Sequence, residues 1–143
     1  QLKIVGEGIE REKLESQISQ LNLGEKAFLI GAQKDVASYY SQSKVFILSS
    51  RYEGFGLVIL EAQVCGTAVI SFDCKTGPSD IITDGIDGLL IKDQSIKELS
   101  EAMLSIAKND KLATKLIENA LVTSNRYSDS EILKLWQSKI IND

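Results

Sequence analysis

Short apolar runs and charged helical stretches take turns along this chain. Residues 2–6, "LKIVG", read as a strand; Leu14, Ile18 and Leu21 then recur at helical spacing in a charged segment, and residues 27–31, "AFLIG", read as a second strand. A short helix follows, with Asp35 able to cap it and Val36, Tyr39 and Tyr40 on its apolar face. "KVFILSS" is a third strand. The segment from Glu53 to Cys65 is a helix with Leu57, Leu60 and Val64 on one side, and "TAVISFD" is a fourth strand. Pro78 suits the first turn of a helix "PSDIIT", "DGIDG" is a turn-rich break, and "LLI" is a last short strand. From Ser95 onward the chain reads as helical, with stripes at Ile96, Leu99, Met103 and Ile106, then Leu112, Leu116 and Ala120, then Ile132, Trp136 and Ile140. The Trp, at helical spacing among apolar neighbours, reads as core, and part of the Ile132, Trp136 and Ile140 stripe is expected to lose its cover if a partner domain is missing.

Strands that alternate with helices are parallel, because only parallel strands need crossovers. The expected fold class is α/β, a Rossmann-like parallel sheet sandwiched by helices. The 143 residues with 43% apolar content suit one domain better than two, and residues 109–143 form its C-terminal helices. The chain begins without Met and runs almost directly into a strand, so it is expected to be a piece of a longer protein, incomplete at its N-terminus.

Charge and composition narrow the function. Sixteen Lys and Arg against 20 acids leave a net charge of −4, which argues against nucleic-acid binding. Without His there is no Ser-His or Cys-His triad and no His-ligated zinc. Cys65 and Cys74 lack metal spacing and read as reduced, buried thiols of a cytoplasmic protein. No metal site and no cofactor are expected, and no run of ~18 apolar residues spans a membrane.

The chemistry sits in "SSRYEGFGLVILEA", residues 49–62. Residues 50–55 leave the carboxyl end of a parallel strand, where open α/β sheets bind ligands. Gly54 and Gly56 let the backbone approach a ligand, and the amides of Gly56, Leu57 and Val58 at the helix start favour an anion such as a phosphate. Glu61, in the second turn, is placed to accept hydrogen bonds from a ribose diol, and Glu53 to hold hydroxyls on the other side. A phosphate seat, a diol and a second polyol together describe a nucleotide sugar. Two bland readings stay open: Glu53 serving the helix dipole, and Glu61 neutralised by a salt bridge in a largely covered helix. "GPSDII" is equally readable as a mere turn and capped helix.

Rival enzymes fit less well. "GEGIER" lacks the third glycine of a dinucleotide fingerprint, having Arg11 there, and Glu7 would crowd a pyrophosphate. A glycosidase would set its two carboxylates about 5–5.5 Å or about 6.5–9.5 Å apart across the scissile bond and would have no use for a phosphate seat. A non-catalytic doubly wound nucleotide-binding or interaction module is the remaining alternative.

With Glu53 and Glu61 as an E-x7-E pair, and with "VGEG", "FLIG", "GTAVIS" and "GPSDIITDGIDGLL" in the same order, the chain resembles the carboxyl-terminal domain of retaining glycosyltransferases of family 4 over about residues 2–108. The resemblance implies one half of a two-domain B-type fold, with the acceptor domain missing. It implies that Glu61 holds the ribose, Glu53 acts at a donor-sugar hydroxyl as the catalytic carboxylate, the backbone of Gly54, Phe55 and Gly56 faces the sugar, and the Leu57 and Val58 amides face the diphosphate. Leu29, Ile30 and Gly31 would border the base. The implied partners are a nucleotide-sugar donor, UDP-linked, and a glycan or lipid-linked acceptor, as in cell-surface polysaccharide synthesis. The implied location is cytoplasmic, with peripheral membrane association at the inner face. The family's basic pair for the diphosphate lies upstream of "VGEG" and is absent, so the isolated piece is expected to be inactive. Arg51 and Lys75 are near enough in sequence to help the seat, yet each reads first as solvated surface.

Overall fold

The computed structural model describes residues 1–141, with side-chain environments through residue 139; Ile140, the last member of the third stripe, lies outside the described side chains. The chain forms two compact units, residues 1–36 and 37–143.

The first unit is a β-α-β hairpin of the parallel kind. Strand β1, Leu2–Val5, pairs with β2, Ala27–Gly31, in the register Leu2↔Ala27 to Ile4↔Leu29, with a shift before Val5↔Gly31. Helix α1, Arg11–Gln20, connects them and half-buries Leu14 and Ile18. Leu21, expected on the same stripe, is exposed because the helix has ended: Asn22 takes a φ of +53°, and the Leu23 amide turns back to the Ile18 carbonyl at 2.9 Å. Glu7 is tied to Arg11 at 2.6 Å, and a Cβ on Gly31, whose φ is +78°, would come within 2.8 Å of the Glu7 carboxylate. The "GEGIER" segment is therefore an ion-paired turn, with an acid where a dinucleotide fingerprint needs open backbone.

The second unit carries a three-stranded parallel sheet in the order β3–β4–β5: Val45–Leu48, Ala68–Asp73 and Leu89–Lys92. Central β4 has both faces covered from Ala68 to Phe72, its mostly apolar run including one buried hydroxyl, Ser71, which donates to the Phe72 carbonyl. By the period of two, Ala68, Ile70 and Phe72 share one face, where they meet Ile91, Ala102, Ile106, Ala113 and Leu116. The last four come from α5, Ile96–Lys108, and α6, Asp110–Ser124. Ser95 caps α5 by accepting from the Glu98 amide, and this places Ile96 at the first, outward position, 80% exposed, so it does not join the stripe of Leu99, Met103 and Ile106. The second stripe is sound: Leu116 and Ala120 are buried and Leu112 is half-buried.

Helix α2, Ala37–Ser41, leads into β3, and α3, Leu57–Val64, and α4, Pro78–Ile81, lie in the crossovers from β3 to β4 and from β4 to β5. In α3 the buried residues are Ile59, Ala62 and Gln63, and the expected face of Leu57, Leu60 and Val64 is turned outward, with Leu57 and Val64 more than 60% exposed. The helix is apolar nearly all round, and the one carboxylate in it decides the matter: Glu61 lies three or four residues from Leu57 and Val64 and takes them to the outside with it. The chain ends in a 3-10 turn, Asn125–Tyr127, then α7, Asp129–Trp136, and a π-helical turn, Gln137–Ile141. Trp136, expected in the core, is 61% exposed, and Ile132 is exposed beside it. Leu133 and Leu135 are exposed as well, and no residue of α7 is buried.

Candidate functional site

Two loops leave the carboxyl ends of neighbouring strands β3 and β4, and they interlock. The first, residues 49–56, ends on Gly56, whose φ of +89° sets the chain into α3 at Leu57, four residues after the helix start at Glu53 that the sequence suggested and one after Gly56. A Cβ at Gly56 would press within 3.1 Å of Ile59 Cδ1. The second loop ends on Gly77, with φ +98°, where a Cβ would sit 2.5 Å from the Phe55 carbonyl oxygen. Only glycine satisfies both the dihedral and the contact. The Thr76 hydroxyl donates to the Glu53 carbonyl, closing the two loops together. "GPSDII" is thus a helix start with Pro78 in its first turn and also the support under Phe55.

The C-terminal turn braces the same place. Tyr127 meets the Phe55 ring edge-on at 5.7 Å and donates its hydroxyl to the Asp80 carbonyl at 2.7 Å. Arg126, stacked over the Tyr127 ring at 4.8 Å, donates to the Asp80 and Ile81 carbonyls at 3.2 and 2.7 Å, the free acceptors at the end of α4. Neither Arg126 nor Tyr127 was singled out by the sequence.

At the head of α3 the Ile59 amide reaches the Gly56 carbonyl at 2.8 Å, and the amides of Leu57 and Val58 have no acceptor within the helix. Gly56 itself is buried and lies outside the helix. Gly54 and Phe55 are exposed, and Val58 is half-buried. Glu53 is half-buried and lies four residues ahead of Leu57, outside the first helical turn. Glu61 is exposed, correcting the expectation of a covered carboxylate, and the reason is the outward face of α3 described above. Among the described residues no basic group comes within 4.0 Å of either acid, so the salt-bridge reading fails. Arg51 and Lys75 are solvated.

What Glu61 has instead is Tyr40, whose hydroxyl donates to Oε2 at 3.2 Å. Burial, then the Glu61 charge, push the Tyr40 phenol up to about 12. Tyr40 was legible only as one apolar residue of a short helix; a buried phenol nonetheless needs an acceptor, and that was the available signal. Ile30 is half-buried and Gly31 buried at the end of β2 in the first unit. Two concavities of that unit, 530 Å³ around Ile18 and Lys26 and 230 Å³ around Gly6 and Leu29, contain neither Glu53 nor Glu61. Cys74 is buried and Cys65 half-buried, both as free thiols. Among the described residues no helix is long and apolar enough to cross a membrane.

The family model for "Glycosyl transferases group 1" matches residues 1–123. The chain belongs to the group 1 glycosyl transferases. It is 35% identical over 135 residues to the amylovoran biosynthesis glycosyltransferase AmsD of Erwinia amylovora, covering 94% of this chain and 38% of that protein. It is 34% identical to the poly(ribitol-phosphate) alpha-N-acetylglucosaminyltransferase of Staphylococcus aureus, covering 93% of this chain and 27% of that protein. Among solved structures, a mutant of S. aureus TarM in complex with fondaparinux, alpha-GlcNAc-glycerol and UDP superposes with a TM-score of 0.88 at 33% identity, over 95% of this chain and 28% of that one. The chain therefore spans about a quarter to two fifths of the length of these relatives. Within this group 1 glycosyl transferase chain, the interlocked loops and α3 are the region where glycine geometry, orphan amides and two carboxylates coincide.

Proposed function

We propose that this chain is the donor-binding domain of a retaining family 4 glycosyltransferase of B-type fold, with Glu53 and Glu61 as its E-x7-E pair. The complete protein would transfer a sugar from a UDP-sugar to a glycan or lipid-linked acceptor in cell-surface polysaccharide synthesis, from the cytoplasmic side and at the membrane's inner face. The observation that carries this reading is the β3–α3 junction: Glu53 and Glu61 flank two orphan helix-start amides at the carboxyl end of a parallel strand, with no cation neutralising either acid among the described residues. Membership of the group 1 glycosyl transferases and the similarity to a UDP-bound TarM support it.

In this reading the Leu57 and Val58 amides receive the diphosphate and stabilise the charge that develops as it leaves. Glu61 accepts from the ribose hydroxyls. Glu53 acts at a hydroxyl of the donor sugar, beside the Gly54, Phe55 and Gly56 backbone. No metal and no cofactor take part, so chelation leaves donor binding unchanged. Transfer needs the acceptor domain.

The test is a paired titration of UDP and a UDP-sugar against wild type, Glu53→Gln and Glu61→Gln. Glu61→Gln weakens both ligands, because both carry the ribose; Glu53→Gln weakens only the complete donor. Each loss is on the order of 1–3 kcal/mol, the range for a hydrogen bond to a charged group. Equal losses for both ligands in Glu53→Gln would refute the division of roles.

A further inference from the structure

Glu61 projects from the outer face of a helix between exposed Leu57 and Val64, with no cation among the described residues to hold it. A solvated glutamate in that setting turns freely about three side-chain bonds, and a ligand must then order it on arrival. Tyr40 removes that freedom. Its side chain is itself fixed: it is only 7% exposed, its ring meets Phe46 edge-on at 5.2 Å, and its carbonyl accepts the buried Thr67 hydroxyl at 2.6 Å. Thr67 is the residue after the glycine that ends α3, where the Thr67 amide returns to the Ala62 carbonyl at 3.0 Å. One short network thus ties α2, the end of α3 and the start of β4 to a single phenol aimed at Glu61 Oε2 from 21 positions earlier in the chain.

We propose that Tyr40 is a positioning residue for ribose recognition: it occupies one lone pair of Glu61 Oε2, fixes the carboxylate plane, and so presents Oε1 and the rest of Oε2 to a vicinal diol. This rests on the reading of Glu61 as the ribose acceptor. Tyr40 does not touch the ligand. Its contribution is to selectivity, since a preordered carboxylate rewards two correctly spaced hydroxyls and gives nothing to a sugar that lacks them.

The test compares UDP with 2′,3′-dideoxy-UDP on wild type, Tyr40→Phe, Glu61→Gln and the double variant, with melting temperatures recorded throughout. Phe keeps the buried ring, so the fold is retained. Wild type prefers UDP by about tenfold or more, as loss of hydrogen bonds to a charged group implies. Tyr40→Phe is expected to lower UDP affinity roughly five- to tenfold while leaving dideoxy-UDP nearly unchanged, and to add nothing in the Glu61→Gln background. The Glu61 side-chain carboxyl ¹³C resonance moves in Tyr40→Phe without any nucleotide present. If wild type does not distinguish the two nucleotides, the ribose reading of Glu61 falls and this inference with it. If wild type distinguishes them and Tyr40→Phe does so equally, the positioning role alone is overturned. A loss of both nucleotides in parallel with a drop in melting temperature likewise overturns it, in favour of a purely structural tyrosine.

Discussion

Gly77 shows how a single position can set the geometry of a neighbouring loop. Its φ of +98° and the 2.5 Å approach of the Phe55 carbonyl leave no room for a side chain. Gly77→Ala is expected to destabilise the chain by roughly 2–4 kcal/mol, the sum of a positive-φ penalty and overpacking, and denaturant titration would measure it. The effect should reach the Glu53 loop, visible as shifted Gly54 and Phe55 amide resonances. Tyr40 makes a separate prediction about pH. Its phenol is pushed up to about 12, against the ordinary value near 10 retained on unfolding. The folded state therefore keeps the proton longer, so the stability Tyr40 contributes is complete below pH ~10 and is lost as pH rises from there through about 12. Melting temperature against pH should fall more steeply over that window in wild type than in Tyr40→Phe. At this scale the sequence was legible for Gly56, whose φ of +89° and 3.1 Å approach to Ile59 need glycine, and less so for Gly54, where a Cβ would meet nothing within 4 Å, and for Glu61, which is exposed rather than covered. It gave Tyr40 only a helix face and Gly77 only a turn, because their partners lie 21 and 22 positions away and are brought near only by packing.

Elements were read well where local signals agreed and less well where periodicity was ambiguous. Ser95 and Pro78 mark helix starts by chemistry visible in the sequence, and α5 and α4 begin where they should, whereas the Asn109 cap that separates α6 from α5 was not singled out. Helix α3 defeats the periodicity argument because residues on every side of it are apolar; Glu61 was the better guide to its outer face. The brace on α4 belongs to this scale too. Arg126 and Tyr127 supply the acceptors at its end with donors from a turn more than forty positions later. Arg126→Ala removes two of these bonds, and a loss of about 1–3 kcal/mol is expected, measurable by urea unfolding, with a shift of the Phe55 ring resonances as the Tyr127 contact loosens. Unchanged stability and unchanged Phe55 lines would show that the turn does not brace the loop.

For the molecule as a whole, alternating strand and helix signals disclosed the α/β class, because each crossover leaves its own periodicity in the sequence. What they did not disclose was that residues 1–36 form a unit of their own, since strand runs of similar length and character gave no hint of where pairing is interrupted. Nor did stripe counting distinguish a covered face from an uncovered one at the chain's end. Ile106 is wholly buried in the sheet-facing core, whereas Trp136 is mostly exposed. Ile106→Ala should therefore cost about 2–5 kcal/mol of stability, and Trp136→Ala less than about 1 kcal/mol, despite the larger side chain. Thermal or denaturant unfolding of the two variants would decide the point, and a larger loss for Trp136→Ala would contradict the burial described here.

The central claim is that the head of α3 and its two flanking acids form a nucleotide-sugar site, and an NMR titration of this chain with UDP addresses it most directly. Amide shifts should concentrate at residues 54–58 and at Glu61 as UDP reaches ~1 mM, the range of a weak site, and they should vanish in Glu61→Gln at the same concentration. Shifts scattered over the surface, or none at residues 54–61 at that concentration, would contradict it.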